Sequence, residues 1–390
     1  MRTAPANRFR GPLVFFVAAR AASNTAYRMV YPFLPVFARA FGVDLETMSL
    51  ALSARAASGA LGPLLAPLTD RHGRRFGLSL GLGLFAAGAF LGASGPGFAF
   101  FAAALILMTV GKYVIDPAVL AHLSDIVPYA RRGRALALTE LSWALAFIAG
   151  VPAVGFLLGR FGGRAPFAVL GCLGLVGLMA VRRFLPGGKG EETKGGHRES
   201  YLAVLRSPAA LAGIALILAV SMSNELVNLV FGVWLEDAFG LKVAALGIAA
   251  AAIGVAEFGG EGLVVTTVDR LGKMNALMIG LAANGLAALV LPLAGRTLAG
   301  ALIGLALFYL TFEYTVVSLL PVMSEILPRA RATLLAFYAA SFSLGRAIGS
   351  LVSPRLYVLG FTIVALTAVG LNAVAFLVLL RLRRLTADRS

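Results

Sequence analysis

Eleven ionisable side chains lie inside long apolar stretches of this 390-residue chain, and they are the residues best placed to do chemistry. A charge at the centre of a bilayer-spanning helix costs about 2.5–3.5 kcal/mol on insertion scales. Such residues therefore face a bundle interior or a water-filled cavity, where they bind a solute, exchange a proton or pair with one another. They are Arg20, Arg28, Arg55, Lys112, Asp116, Glu140, Glu225, Glu257, Glu261, Glu313 and Arg346.

Two polar stripes carry several of these charges. In a helix, residues separated by three, four, seven, eight or eleven positions share one face. We expect both stripes to line a central cavity, with interhelical hydrogen bonding as the alternative role. The first stripe comprises Arg20, Asn24, Tyr27, Arg28 and Tyr31, and the second comprises Ser221, Asn224, Glu225 and Asn228.

The embedded charges differ in sign between the two halves of the chain. The first half holds four basic and two acidic residues, whereas the second holds four acidic residues and one basic residue. A cavity between the halves would suit a zwitterionic or polar amphipathic solute, or an anion moved with protons. Alternatively, the charges pair across the cavity and separate as it opens. Lys112 and Asp116 are four residues apart, a spacing at which they can simply neutralise each other.

Proton coupling requires a carboxylate whose proton affinity changes between two states. Burial disfavours the charged carboxylate, and a nearby arginine favours it. Glu257 and Glu261 are one helical turn apart and could share a proton. The predicted proton-coupling residues are Asp116, Glu225, Glu257 and Glu313. The predicted substrate-binding residues are Arg20, Asn24, Tyr27, Arg28, Tyr31, Arg55, Lys112, Tyr113, Asn224, Asn228 and Tyr309.

The composition predicts that membrane-spanning helices position these residues. Hydrophobic residues make up 59% of the chain and charged residues 13%, against about 45–50% and about 25% in soluble domains. The apolar stretches are rich in Ala and Leu and reach the roughly 20 residues that a spanning helix needs. The predicted spans are 11–38, 47–68, 76–95, 97–122, 134–158, 165–185, 208–235, 243–266, 275–294, 298–322, 332–356 and 360–380.

The basic residues predict the orientation of these spans. Most of the 34 Lys and Arg residues fall on the side that carries both termini, which the positive-inside rule assigns to the cytoplasm. Because they lie at span ends, the net charge of +16 does not indicate nucleic-acid binding. We expect an N-terminal six-helix bundle over residues 1–185, a flexible cytoplasmic linker over 186–207 and a C-terminal six-helix bundle over 208–390.

The two halves repeat each other at nearly constant offset. Phe41-Gly42 returns as Phe239-Gly240, Asp70-Arg71-His72-Gly73 returns as Asp269-Arg270-Leu271-Gly272, and Asn24 matches Asn224. The segment from Ser124 to Arg131 returns as the segment from Ser324 to Arg331. Two pseudo-symmetric bundles follow, with a substrate site expected between them near mid-membrane.

The motifs in these segments resemble those of the major facilitator superfamily. Gly62 to Arg75 is similar to the family's motif between helices two and three, and Ser124 to Arg134 is similar to its segment between helices four and five. The segment from Gly150 to Gly155 resembles the helix-five motif of antiporters, although Val151 separates its Gly-Pro pair and Phe156 stands where a second Gly is expected.

The resemblance implies an all-α integral membrane fold of twelve transmembrane helices that works by alternating access. It also implies that Asp70, Arg71, Gly73 and Arg74 gate the cytoplasmic side. Their alternative role is a topology anchor. Glu140 and Arg346 lie nearer the cytoplasm in the predicted topology, and we expect gating contacts from them.

We therefore expect a secondary active transporter in the inner membrane that exports a small polar or amphipathic solute in exchange for protons. Proton-coupled uptake of a metabolite or anion, or lipid flipping, is the alternative on the same fold. A monomer without a cofactor is expected. The three histidines have no metal-ligand spacing, and no Walker sequence or other enzyme signature is present.

Overall fold

The computed structural model describes residues 10–62, 72–127, 139–185 and 197–387, and every regular element in these ranges is a helix. The fourteen helices are α1 (Arg10–Arg28), α2 (Leu34–Phe41), α3 (Leu45–Ser58), α4 (Arg74–Ser94), α5 (Phe98–Ile126), α6 (Thr139–Phe161), α7 (Ala165–Phe184), α8 (His197–Arg206), α9 (Pro208–Phe239), α10 (Val243–Leu271), α11 (Lys273–Ala294), α12 (Leu298–Ile326), α13 (Arg331–Val358) and α14 (Phe361–Ala387).

Ten helices within the described ranges are long and apolar enough to cross a membrane, which confirms an all-α membrane fold. They are α4 to α7 and α9 to α14. The first two predicted spans are also helical where described, but each is interrupted or partly outside the described ranges. The span 11–38 forms α1 and α2 on either side of a turn, and the span 47–68 contains α3 followed by a short 3₁₀ turn at Gly59–Leu61.

Asp44 caps α3 by accepting a hydrogen bond from the Thr47 backbone N–H, which holds the pKa of this exposed carboxyl below its ordinary value.

The described residues within 1–30 and 64–193 group by contact into one unit, here called the N-terminal unit. Within it α4 packs on α5 and α7, and α1 contacts α5, α6 and α7. Helix α6 contains a π-helical turn over Ala146–Gly150. The absence of a side chain at Gly150 lets α1 approach this turn, because a Cβ there would lie 2.0 Å from the Thr25 Oγ1 atom.

The described residues within 31–63 and 194–390 form the second unit, here called the C-terminal unit. Its centre is α9, which packs on α13 and α14, while α10 and α11 pack on α12. Helix α3 lies along α13, and the Ser53 hydroxyl donates a hydrogen bond to the Ala347 carbonyl at 2.8 Å. Residues 31–63 thus group by contact with the C-terminal helices, whereas the sequence predicts a bundle over 1–185; the division into six plus six helices stays a prediction.

Glycines at repeat-related positions adopt the same backbone conformation. Gly42 and Gly240 end α2 and α9 with φ of +64° and +65°. Gly73 and Gly272 precede α4 and α11 with φ of +86° and +79°. Residues with a side chain rarely adopt this region. These paired turns support the internal repeat that the sequence indicates.

The predicted flexible linker contains a helix. Residues 197–206 form α8, which contacts α9 and α13 of the C-terminal unit. Val204 on this helix is completely buried, and the Tyr201 ring packs edge-on against the Phe337 ring at 5.6 Å. The expectation of flexibility was therefore wrong for residues 197–206, because the buried Val204 side chain packs this helix against the C-terminal unit. Residues 186–196 lie outside the described ranges.

Candidate functional site

Among the described residues of the C-terminal unit, the most completely buried carboxylate is Glu225, on α9. Its side chain is 0% exposed and lies where α9 meets α13. Gly349 makes this contact possible, because a Cβ there would lie 2.8 Å from the Glu225 Cβ atom. A carboxylate in such a place requires donors for both of its oxygens.

Both oxygens of Glu225 receive hydrogen bonds. The Ser350 hydroxyl donates to Oε1 at 2.8 Å, and the Asn228 amide donates to Oε2 at 3.0 Å. The Tyr31 hydroxyl donates to Oε2 at 3.4 Å, and the Arg346 guanidinium forms an ion pair with the same oxygen at 3.8 Å. An ionised carboxylate only accepts hydrogen bonds, so this set of donors matches its chemistry.

A second layer of residues extends this arrangement. The Arg55 guanidinium is 0% exposed, donates to the Tyr31 hydroxyl at 2.8 Å and lies 5.1 Å from the Tyr31 ring centroid. On the other side, the Tyr309 hydroxyl donates to Asn228 Oδ1 at 2.7 Å. The Glu225 network is defined as Tyr31, Arg55, Glu225, Asn228, Tyr309, Arg346 and Ser350.

Six members of the Glu225 network were singled out in the sequence, although under three different roles. Ser350 was missed. Its signal is weak but present, since it lies four residues after Arg346 on the same face of α13.

The remaining predicted carboxylates of the C-terminal unit lie where α10 meets α12. Gly260 brings these helices together, because a Cβ there would lie 2.5 Å from the Leu310 carbonyl oxygen and 3.3 Å from the Glu313 Cβ atom. Glu257, one turn before Gly260, is 2% exposed, and Glu313 is 9% exposed. Tyr338 of α13, which the sequence analysis did not single out, lies close enough to Glu313 for an electrostatic interaction.

In the N-terminal unit, the buried Arg20 side chain binds two carboxylates. Its Nε atom lies 3.2 Å from Asp116, and its Nη1 atom lies 2.9 Å from Glu140. Lys112 pairs with Asp116 along α5, which confirms the pairing predicted from their spacing. Two cations and two anions therefore balance in this cluster. Arg55 belongs to the C-terminal unit. For these two reasons, most of the excess of basic over acidic residues expected for the first half is absent.

Arg28 has an aromatic environment. Its guanidinium lies 3.4 Å from the Phe147 ring centroid and 4.3 Å from that of Trp143, and it donates to the Trp143 carbonyl at 3.1 Å. The Tyr27 ring lies 6.4 Å from the Trp143 ring. Cation–π contacts of this kind stabilise a guanidinium. The two α6 rings were missed, although their spacing of four residues places them on one helical face.

The other predicted site residues have less defined environments. Asn24 is fully buried and donates to the Ser142 hydroxyl at 3.1 Å. Tyr113 is half-buried on α5. Of the predicted cytoplasmic gate, Gly73 precedes α4 and Arg74 begins it, while Asp70 and Arg71 lie outside the described residues.

An apolar cleft of about 550 Å³ lies in the N-terminal unit between α1, α6 and α7. Among the described residues that line it, Thr25 has the only polar side chain. The walls include Ala18, Ala22, Ala153 and Leu173. Its volume is within the range of small-molecule sites, and its lining matches a hydrocarbon group.

Comparison with known proteins places these sites in a family context. The sequence profile described as Major Facilitator Superfamily matches residues 16–324. An uncharacterized MFS-type transporter of Bacillus subtilis, YwfA, is 26% identical over 362 residues, covering 91% of this chain and 88% of that protein. A chloramphenicol resistance protein of Streptomyces lividans is 28% identical over 264 residues, covering 67% of this chain and 66% of that protein.

A solved structure shares the fold. It is a bacterial homologue of the human lysosomal transporter Spinster, solved in an inward-facing and unoccupied conformation. The two chains superpose with a TM-score of 0.78 over 99% of each, at 16% identity. At this identity the likeness concerns the fold.

Proposed function

Because the chain belongs to the Major Facilitator Superfamily and is thus a multi-pass membrane transporter rather than an enzyme, we propose that it exports a small amphipathic solute in exchange for protons. Both termini face the cytoplasm in this proposal, the protein works as a monomer in the inner membrane, and alternating access moves the solute.

The Glu225 network is the observation that carries proton coupling. A fully buried carboxylate with three hydrogen-bond donors and a guanidinium is a place where one proton changes many contacts at once. Adding a proton removes the negative charge that attracts Arg346 and turns one acceptor into a donor. Because its partners come from residues 31–58, α9 and α13, protonation can bias how these elements pack.

The direction and the kind of solute are supported by relatives. One of them is named as a chloramphenicol resistance protein, which favours export of an uncharged amphipathic compound. The predicted substrate-binding residues stay a prediction. Those on α1 and α5 include both cations of the charge-balanced cluster and the arginine that packs on aromatic rings. This mixture suits a solute with both polar and apolar parts.

Proton exchange is tested in proteoliposomes that enclose a pH-sensitive dye. After an acidic interior has been set up, adding chloramphenicol outside is expected to raise the internal pH, because each solute that enters releases a proton outward. Empty liposomes and liposomes carrying the Glu225→Gln variant control for leakage. A wild-type protein that moves chloramphenicol without any pH response would rule out proton coupling.

Lipid flipping is the second candidate, and the apolar cleft favours it. A cleft lined by α1, α6 and α7 could admit the hydrocarbon tail of a membrane amphiphile. In liposomes with a headgroup-labelled phospholipid, flipping would expose more than the outer leaflet to a membrane-impermeant quencher. Quenching equal to that of empty liposomes would eliminate this candidate.

A further inference from the structure

Asn224 has a buried amide that nothing in the described chain satisfies. It lies on α9 next to Glu225, and its side chain is 1% exposed. Neither its Nδ2 nor its Oδ1 atom has a hydrogen-bond partner among the residues that the structure describes. Most buried polar side-chain atoms are hydrogen-bonded, so an amide with both ends unsatisfied requires an explanation.

The same unit satisfies another asparagine at equal burial. Asn284 of α11 is also 1% exposed, yet its Nδ2 atom donates to the Phe308 carbonyl and the Thr311 hydroxyl, at 2.8 Å and 3.1 Å. Its Oδ1 atom accepts from Asn372 at 2.9 Å. This asparagine joins helices as a structural residue. Asn224 is equally buried but makes no such hydrogen bonds to the described residues. A purely structural role therefore does not explain why this amide is buried.

The position of Asn224 points to a ligand-binding role. Four residues later, Asn228 accepts from the Tyr309 hydroxyl, and Phe231 packs edge-on against the same ring at 6.1 Å. Residues 224, 228 and 231 share one face of α9. The unsatisfied amide thus continues the polar face of the Glu225 network by one helical turn.

The repeat supplies an independent observation in the other unit. Asn24, which matches Asn224 in the sequence repeat, is 0% exposed and donates from Nδ2 to the Ser142 hydroxyl. Its Oδ1 atom has no hydrogen-bond partner within the described part of the chain. Both repeat-equivalent asparagines therefore keep an unused acceptor.

We infer that Asn224 is a recognition residue for an uncharged solute that donates and accepts hydrogen bonds through neighbouring hydroxyl or amide groups. In the present arrangement the amide is closed off and unsatisfied, and the bound solute supplies its partners. The inference deepens the proposed function, on which it rests, by naming the solute's chemical class. It also predicts that the unsatisfied amide lowers the stability of the protein without solute.

Stability provides the first test, with a matched control. Leucine is close to asparagine in size and carries no polar group. Asn224→Leu is expected to leave the melting temperature of the purified protein unchanged or to raise it by roughly 2 °C, because no hydrogen bond is lost. Asn284→Leu is expected to lower it, since it breaks three hydrogen bonds. An equal drop in both variants would overturn the inference, because Asn224 would then have a structural partner.

Binding provides the second test. Chloramphenicol, which carries hydroxyl and amide groups, is titrated into detergent-solubilised protein in a calorimeter at constant pH. We expect Asn224→Leu to weaken its binding about tenfold, the loss that accompanies a typical neutral hydrogen-bond partner. Asn284→Leu, measured below its melting temperature, is expected to change it less than threefold. Unchanged affinity in Asn224→Leu, or no binding by the wild-type protein, would overturn the inference.

These outcomes separate the inference from the proton-exchange proposal. Calorimetric binding requires no pH gradient, and the proton assay compares the wild type with Glu225→Gln while Asn224 stays in place. A protein that binds chloramphenicol through Asn224 but moves no protons would refute the coupling alone. A protein that exchanges protons but binds equally well without the amide would refute the recognition role alone.

Discussion

Replacing Glu225 with glutamine is expected to abolish pH-driven accumulation of solute while solute exchange continues. A gradient of one pH unit supplies about 1.4 kcal/mol for each proton exchanged, enough for about tenfold accumulation. The wild-type protein should approach that ratio in proteoliposomes. Glu225→Gln keeps the size and most of the hydrogen bonds of the side chain but cannot lose a proton, so its accumulation ratio should stay near one.

Two control variants make this result specific. Glu325, at the end of α12, is an exposed carboxylate that pairs with Lys273, and Glu325→Gln is expected to accumulate solute as the wild type does. Glu313→Gln tests the carboxylates at the α10–α12 contact. Loss of accumulation in Glu313→Gln together with full accumulation in Glu225→Gln would move the coupling site to that contact and contradict the role of the Glu225 network.

Replacing Arg346 with methionine is expected to destabilise the C-terminal unit strongly. The ion pair with Glu225 is buried, with 6% and 0% of the two side chains exposed. Removing one partner of a buried pair leaves an uncompensated charge and costs about 3–5 kcal/mol. Methionine retains most of the apolar volume, so lost packing contributes little. The variant should therefore have a lower melting temperature. This is measured as the temperature at which heating removes the monodisperse protein peak in fluorescence-detected size-exclusion chromatography.

The double variant isolates the charge effect. If the cost comes from the isolated carboxylate, then adding Glu225→Gln to Arg346→Met should recover much of the lost stability. Arg355→Met is the matched control, since Arg355 pairs with Glu46 on the surface at 2.9 Å, and exposed pairs contribute about 1 kcal/mol or less. An Arg346→Met protein as stable as Arg355→Met would show that the buried pair does not hold this unit together.

Sequence periodicity identified the polar residues and their partners within one helix, but not their partners on other helices. Glu225 and Asn228 were found because residues three apart share a helix face, and Lys112 and Asp116 because residues four apart can pair. Both pairs are in contact. Local spacing therefore predicts contacts within one helix well.

Partners on different helices could not be found in this way. Arg20 and Glu140 are 120 residues apart, and Glu225 and Ser350 are 125 apart. Their contacts depend on how helices pack, which a single sequence does not encode in its periodicity. The same limit explains why most of the excess of basic residues expected for the first half of the chain is absent. Arg55 lies in the first half of the chain, yet it binds Tyr31 within the C-terminal unit.

Some of the helix contacts that could not be predicted depend on glycine. Gly349 and Gly260 let helices approach closely beside Glu225 and Glu313. In an apolar stretch, a glycine that lets two helices approach beside a buried carboxylate looks like any other small residue. Paired turn glycines such as Gly42 and Gly240 were easier to recognise, because the repeat gives each a counterpart.

The most direct test of proton exchange is the number of protons released when solute binds. Binding and proton affinity are reciprocally linked, so an exchanger that binds solute in place of a proton must release protons into a weakly buffered solution. We predict that wild-type protein, saturated with chloramphenicol in detergent and followed with a pH indicator, releases protons, and that Glu225→Gln releases none. Solute binding without proton release in the wild type, or equal release by both proteins, would contradict the account.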